Sequence, residues 1–371
     1  MATVKLKIAE LRKAKGVGQH DLASTLGVSF QSVSKWETGV TMPDITLLPD
    51  IAEYFNVSVD QLIGLQPLEN QVYIPRNTDN RSNCNAQTDK LYKNRRYFWN
   101  DDYLSFIVNN VWRIESPVDI IEFRCGDGYF GKQLLDFLPK GSSYTGVDNE
   151  HFIAKAEVYF SNTDFDVSFM VSDIYSLEID KKYDMAICQA GLRHMNKPME
   201  VLKKMVDSVK KNGIVACIDV NREFENDGLY LDDISYDYLC TAFDFHEIWK
   251  KELECEGRDY AIGMKLPFCM KQLGLRDIDV RINDKVVYVN TDIQDYEEKV
   301  QDFIEINGWN KDFDKFYEEN VIELFMSRGI DRSEAEDYIK MQSKIARYFK
   351  DTKSKKSFLK VQGLLISYGR K

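Results

Sequence analysis

Three acids and one glycine turn stand at intervals that suit a nucleoside. Glu122 opens the run Glu122-Phe123-Arg124-Cys125-Gly126-Asp127-Gly128, which follows the apolar stretch 118–121 and precedes Tyr129-Phe130-Gly131-Lys132-Gln133-Leu134-Leu135. Strand, glycine turn and helix in this order are how many folds build a nucleotide site. Asp148 lies twenty residues beyond Gly128, at the position where an acid accepts hydrogen bonds from ribose hydroxyls. Asp173 ends a third apolar run, in Met170-Val171-Ser172-Asp173. The dinucleotide pattern would place a further glycine at 124, where this chain has Arg124, and no phosphate loop of the form GxxxxGK[ST] occurs. A ligand without phosphates, such as adenosine carrying an amino-acid tail, suits this pattern better.

The elements that must hold these residues alternate. Apolar runs at 118–123, 143–148, 167–173, 183–189 and 213–220 read as strands, and the stretches 130–138, 151–160 and 198–209 read as helices. Repeated strand-helix units predict a doubly wound, mostly parallel sheet with its ligand beyond the strand C-termini. Residues 223–275 and 293–360 read as helical insertions forming a lid over the substrate. Before this domain, which starts at about 95, residues 66–94 are polar and rich in Asn, and are expected to form a linker long enough for independent motion of the two halves. Residues 1–65 read as a small all-helical domain. Within it, QHDLASTLG and SFQSVSKWETG are two short helices joined by Gly-Val-Ser, with Ser29 as N-cap and Gly39 as the stop, which is helix-turn-helix spacing.

Composition narrows the function classes. The net charge of −11 argues against general polyanion binding by the whole chain. The first 65 residues carry six Lys/Arg and seven Asp/Glu, so any DNA-binding face there is local. Seven scattered Cys without a CxxC pair suggest reduced thiols in a cytoplasm, and four scattered His make a structural zinc site unexpected. No run of 18 apolar residues and no secretory leader is read, so no membrane association is expected.

Two resemblances sharpen these expectations. The stretch Lys7 to Gly64, above all LRKAKGVGQHDLASTLGVSFQSVSKWETG, resembles the phage-repressor (XRE, Cro/C1) helix-turn-helix family. The resemblance implies that Gln19 caps the second helix and touches a phosphate, and that Ser29, Phe30, Gln31, Ser34 and Lys35 belong to the DNA-binding face. It also implies an Arg12–Glu37 ion pair and a homodimer on two half-sites. Gln suits adenine, Lys suits guanine, and an aromatic edge suits a thymine methyl.

Residues 95–371 resemble class I S-adenosylmethionine-dependent methyltransferases, on IIEFRCGDGYFGKQLLDFLPKGSSYTGVD and on VSDIYSLEIDKKYDMAICQAGLRHMNKPMEVLKKMVDSVKKNGIVACIDV. The resemblance implies a Rossmann-like seven-stranded sheet whose last two strands form an antiparallel hairpin, drawn from LRDIDVRINDKVVYVN and GLLISYGRK. It implies S-adenosylmethionine as cofactor. Glu122 then lies by the methionine end, Gly126 and Gly128 let the backbone approach, Asp148 with Asn149 takes the ribose, Asp173 and Ile174 meet the adenine, and Gln189 lies under the cofactor. Tyr97 and Asn100, in the aromatic stretch before the first strand, are expected to fold over the site. Arg124 departs from the family's glycine. It can turn outward, pair with the cofactor carboxylate, or fill the methionine slot with Glu122 as its partner.

For the acceptor, His194 is the candidate general base or carboxylate-orienting donor, with Arg193, Asn221, Arg222 and Tyr230 as substrate candidates. DNA is a poor substrate candidate, because QAGL follows the fourth strand where an amino-methylating DNA enzyme needs an Asn/Asp-Pro-Pro-aromatic tetrapeptide. Two functions fit: a small-molecule methyltransferase fused to a sequence-specific DNA-binding module, or a transcriptional regulator whose second domain only senses S-adenosylmethionine or a metabolite.

Overall fold

The computed structural model describes residues 6–64, 68, 73–75, 95–222, 228–239, 245–310, 313–350 and 355–371; most of the expected linker falls outside them. The chain divides into two compact units, one of Met1–Ile74, Asp244–Lys251 and Phe313–Lys340, the other of Pro75–Phe243, Glu252–Asp312 and Met341–Lys371.

Among the described residues before 65, the first unit contains five α-helices: α1 (Ile8–Ala14), α2 (Gln19–Leu26), α3 (Phe30–Glu37), α4 (Leu48–Phe55) and α5 (Val59–Leu62). Their apolar faces meet in one core of Ile8, Leu11, Leu22, Val33, Trp36, Ile51 and Leu62. Each turn is closed locally. Ser29 caps α3 by accepting Ser32 N–H at 3.1 Å, and Gly27 ends α2 in the left-handed conformation that suits glycine. Gly18, not Gln19, caps α2: its N–H reaches Asp21 Oδ2 at 2.9 Å. The same unit takes in the helix Lys315–Met326. There Lys7 pairs with Asp331, and the Arg328 guanidinium lies 4.8 Å from the Tyr73 ring centre.

The second unit is built on a seven-stranded sheet in the order β3-β2-β1-β4-β5-β10-β7. The strands are β1 (Asp119–Phe123), β2 (Ser143–Asp148), β3 (Asp166–Val171), β4 (Tyr183–Gln189), β5 (Val209–Val220), β7 (Arg276–Ile282) and β10 (Leu364–Arg370). The first five are parallel, and β10 runs antiparallel to both β5 and β7. The near-continuous apolar sequence of β1, β4 and β5 follows from cover on both faces. One face packs Trp99, Leu104, Trp112, Ile120, Phe130 and Tyr144 among others, and the other packs Ile121, Val147, Val201, Met205 and Leu266.

The antiparallel pairing of β7 with β10 is as expected, but β7 stops at Ile282. Residues Val286–Val289 form β8, which joins β6 (Leu229–Leu231) and β9 (Phe358–Val361) in a separate three-stranded sheet. The helix Ile262–Gln272 buries Ile262, Leu266 and Met270 against the main sheet, so this part of the expected insertion is a layer of the sheet domain itself.

Candidate functional site

The C-terminal ends of β1, β2, β3 and β4 carry the residues singled out from the sequence. Asp148 ends β2 and is buried. Its Oδ2 accepts the Gly126 N–H at 2.9 Å and its Oδ1 accepts the Asn149 N–H at 2.8 Å. The glycine turn and the strand-end acid are therefore one assembly. Asn149 caps the helix Glu150–Phe160. The Ser172 N–H donates to Asp148 O at 3.1 Å, which ties the end of β3 to that of β2 and places Asp173 next along the chain. Asp173 is exposed and accepts the Tyr175 N–H at 2.7 Å, while Ile174 is buried.

Glu122 lies on β1 with 1% of its surface exposed. Tyr144 OH donates to its Oε2 at 2.6 Å, and Oε1 has no hydrogen-bond partner among the described residues. Burial pushes the Glu122 carboxyl up to about 7, with Arg95 and the Tyr144 hydroxyl pulling in the opposite direction. Gln189, at the end of the neighbouring β4, is fully buried; its Oε1 accepts Trp99 Nε1–H at 2.7 Å and its Nε2 finds no acceptor among the described residues. A buried acceptor and a buried donor thus stand unsatisfied on adjacent strands, a condition that costs about 1–3 kcal/mol per group unless a ligand supplies the partner.

Arg95, which sequence reasoning missed, organises this edge. Its guanidinium donates to Cys125 O at 3.1 Å, Arg124 O at 3.1 Å and Gln189 O at 2.7 Å, binding the turn after β1 to the end of β4. Trp99 and Tyr144 were also missed. Only the adjacency of Arg95 to an aromatic run, and the strand position of Tyr144 two residues before Gly146, could have signalled them.

Arg124 takes φ +58°, the left-handed conformation in which glycine is unstrained. The backbone of the turn has therefore kept the glycine geometry although the side chain is arginine. Arg124 is half-buried, and its Cβ and Cγ face Gly191, where an added Cβ would lie 3.4 and 3.7 Å from them. Its charge acts on Cys188 within β4 and on His194 beyond it, whereas Glu122 takes its hydrogen bond from Tyr144 and its leading cationic influence from Arg95.

Tyr97 and Asn100 bond elsewhere. Tyr97 OH donates to Asp302 Oδ2 at 2.7 Å. Asn100 donates to Asp284 Oδ2 at 2.9 Å and accepts from Lys285 Nζ at 2.7 Å. The expected aromatic helix is short, Asp101–Phe106, followed by a π-helical turn at Ile107–Val111.

The acceptor candidates cluster on the loops after β4 and β5. Arg193 is buried; its N–H donates to Asp219 Oδ2 at 3.1 Å, and its Nε–H donates to His194 Nε2 at 3.1 Å. With Nε2 accepting, the neutral ring carries its proton on Nδ1. Burial, then Arg193, Arg124, Arg222 and Arg258, hold the His194 imidazole well below its ordinary value. A ring whose lone pair is taken and whose cation is disfavoured suits a hydrogen-bond donor better than a general base. Asn221 is buried after β5, and Arg222 N–H donates to Tyr260 O at 3.2 Å. Tyr230 lies on β6 in the second sheet, half exposed, 6.3 Å from the Tyr236 ring.

In the helical unit, Phe30, Gln31 and Lys35 on α3 are exposed and Ser34 is half-buried, while Val33 and Trp36 turn inward. Phe30 stacks on His20 at 4.2 Å. Arg12 makes the expected two-pronged pair with Glu37, at 2.6 and 3.1 Å. Gln19 Nε2 donates to Glu37 Oε2 at 2.6 Å, so its amide is engaged inside the domain rather than serving as the cap of α2.

Comparisons agree with both halves. Residues 8–62 match the family described as helix-turn-helix, and residues 114–259 match the family described as methyltransferase domain. The ubiquinone biosynthesis O-methyltransferase of Rickettsia typhi is 28% identical over 108 residues, covering 29% of this chain and 43% of that protein. The HTH-type transcriptional activator BcrR of Enterococcus faecalis is 34% identical over 86 residues, covering 23% of this chain and 40% of that protein. The structure of Haemonchus contortus phosphoethanolamine N-methyltransferase 2 in complex with S-adenosyl-L-methionine is 12% identical with a TM-score of 0.43, over 78% of this chain and 58% of that one. The chain spans between 43% and 62% of the length of the first curated relatives it matches. No helix among the described residues is long and apolar enough to cross a membrane. The chain carries an N-terminal helix-turn-helix domain followed by a methyltransferase domain on a Rossmann-like seven-stranded sheet.

Proposed function

We propose that the second domain binds S-adenosylmethionine at the C-terminal ends of β1 to β4 and transfers its methyl group to a small molecule. The helix-turn-helix domain of this cytoplasmic homodimer binds a specific DNA sequence through Phe30, Gln31, Ser34 and Lys35. One observation carries the cofactor reading: the unsatisfied Glu122 Oε1 and Gln189 Nε2 stand buried on adjacent strands, beside the turn held to Asp148. An amino-acid tail offers both an ammonium donor and a carboxylate acceptor, so it can satisfy both atoms. Asp148 and Asn149 would take the ribose, and Asp173 and Ile174 the adenine. The cofactor, when bound, supplies a methyl group activated on a positively charged sulfur. The protein then has to position an acceptor in line and keep water away, which can lower a barrier by about 7–11 kcal/mol.

The alternative is a regulator that only senses the cofactor. Arg124 favours it, because a large, permanently charged side chain stands where the resemblance expects glycine. Incubation with methyl-labelled S-adenosylmethionine and a metabolite extract separates the two. Label in a small-molecule product supports the enzyme. Binding of the cofactor without any transfer, together with a cofactor-dependent change in DNA selected from a random duplex pool, supports the sensor.

A further inference from the structure

The helix-turn-helix core draws on residues between Leu6 and Leu68, and among the described residues none from 313–340 enters it. Yet Phe313–Lys340 belongs to the same compact unit. This stretch lies within the region 293–360 that the sequence suggested as a lid over the substrate. It has an apolar centre of its own: the Tyr338 ring stands 5.2 Å from that of Phe325 and 5.4 Å from that of Phe245, and Ile322 and Ala335 are buried. Its link to the first helices is polar. Lys7, just before α1, pairs with Asp331, with only 11% and 12% of the two side chains exposed. Arg328 is buried, donates to Leu324 O at 2.9 Å and lies 4.8 Å from the Tyr73 ring centre. Residues 313–340 carry eight Asp/Glu against four Lys/Arg, whereas residues 7–15 carry four Lys/Arg against one Glu. Opposite charge and an ion pair, without a shared apolar core, make an interface that can open while both sides stay folded.

Two helices carry this stretch back into the methyltransferase domain. The helix Phe245–Glu256 starts in the first unit and ends in the second, and the helix Arg332–Lys350 does the same. Just past the first, Gly257 stands so close to the loop after β4 that a Cβ there would lie 2.3 Å from Asn196 O. Near the end of the second, the Phe349 ring lies 5.3 Å from those of Trp309 and Phe358 and 5.7 Å from that of Phe303. Asp302, beside Phe303 in sequence, accepts the Tyr97 OH at 2.7 Å. Tyr97 is two residues from Arg95 and from Trp99, the two residues that bond to Gln189. An unbroken helix is a stiff element, and stiff elements are among the physical carriers of coupling between sites.

We propose that residues 313–340 are a latch on the helix-turn-helix domain, closed by Lys7 and Asp331, and that cofactor binding in the methyltransferase domain tightens it. The latch rests on the first unit alone, whereas its response to ligand rests on the cofactor reading. Phe30, Gln31 and Lys35 stay exposed with the latch closed, so it holds the domain without covering the recognition face of α3. The coupling is reciprocal: if the cofactor tightens the latch, opening the latch weakens cofactor binding by the same factor.

The test is hydrogen exchange of the full chain, read by mass spectrometry on the peptides that cover Ile8–Ala14 and Lys315–Met326. Asp331→Lys should speed exchange of Ile8–Ala14 about threefold, and adding Lys7→Glu should restore the native rate, because the pair is then reversed rather than lost. Saturating S-adenosylhomocysteine, its binding measured by calorimetry, should slow both peptides about twofold in the native protein and only Lys315–Met326 in Asp331→Lys. Exchange of Ile8–Ala14 that Asp331→Lys leaves unchanged, or that Lys7→Glu does not restore, overturns the latch. S-adenosylhomocysteine that binds yet protects only peptides within 119–197 overturns the response to ligand while the cofactor reading stands. A protein that gives no heat with S-adenosylhomocysteine overturns the cofactor reading and the response together, and the charge reversal still decides the latch.

Discussion

Replacing Glu122 by Gln tests whether the centre of the site is under the electrostatic load that its burial implies. The Glu122 carboxyl is pushed from an ordinary 4.5 up to about 7, chiefly by burial. A folded protein then holds this proton between those two values while the unfolded chain has lost it. Stability therefore falls as pH rises from about 4.5 to about 7 and stays lower above it. A difference of that size corresponds to about 3 kcal/mol. Gln cannot ionise, yet its carbonyl still accepts the Tyr144 hydroxyl that now donates to Glu122 at 2.6 Å. Arg95 is not orphaned, because its guanidinium already serves three backbone carbonyls. Urea unfolding of both proteins, followed by tryptophan fluorescence from pH 4.5 to 8, cancels every other titrating group in the difference. The Gln variant should gain on the native protein through this window and be more stable at pH 8 by up to about 3 kcal/mol. A difference that stays flat with pH, or a variant that is weaker at pH 8, would refute the reasoning.

Gly131→Ala should lose about 1–3 kcal/mol, because its Cβ would lie 2.2 Å from Tyr144 Cζ and push that ring off Glu122; denaturant unfolding measures it. Arg124→Gly should gain about 1 kcal/mol in the same assay, since φ +58° is strained for arginine and free for glycine. Under brief iodoacetamide labelling of the native protein, peptide mapping should find Cys255 modified well before the buried Cys125, Cys188 and Cys217.

Much of the fold was legible because its signals are local. Ser29 caps its helix and Gly39 follows its end, since caps and stops depend on a few neighbouring residues. The strands β1 to β5 announced themselves as apolar runs; Asp148 ends β2 as expected, whereas Asp173 lies two residues past the end of β3 at Val171. What was not legible depends on register and distance. Tyr144 meets Glu122 only because β1 and β2 pair with Glu122 opposite Gly146. Arg95 bonds to carbonyls 29 to 94 residues away, and nothing periodic in the sequence points to them. Gln19 was expected as a cap from the helix-turn-helix resemblance, but Glu37 from the next helix captures its amide. The second sheet escaped notice because its strands are short, β6 having three residues and β8 and β9 four each. Such short runs carry too few alternations to register as strands.

The central claim is that the edge formed by Glu122, Gly126, Asp148 and Gln189 holds S-adenosylmethionine despite Arg124. Calorimetric titration of S-adenosylmethionine and S-adenosylhomocysteine into the native protein, Asp148→Ala and Arg124→Gly tests it most directly. Micromolar binding to the native protein that Asp148→Ala abolishes is the predicted result. A native protein that gives no heat while Arg124→Gly binds would contradict the account, and would mean that the arginine has closed the site.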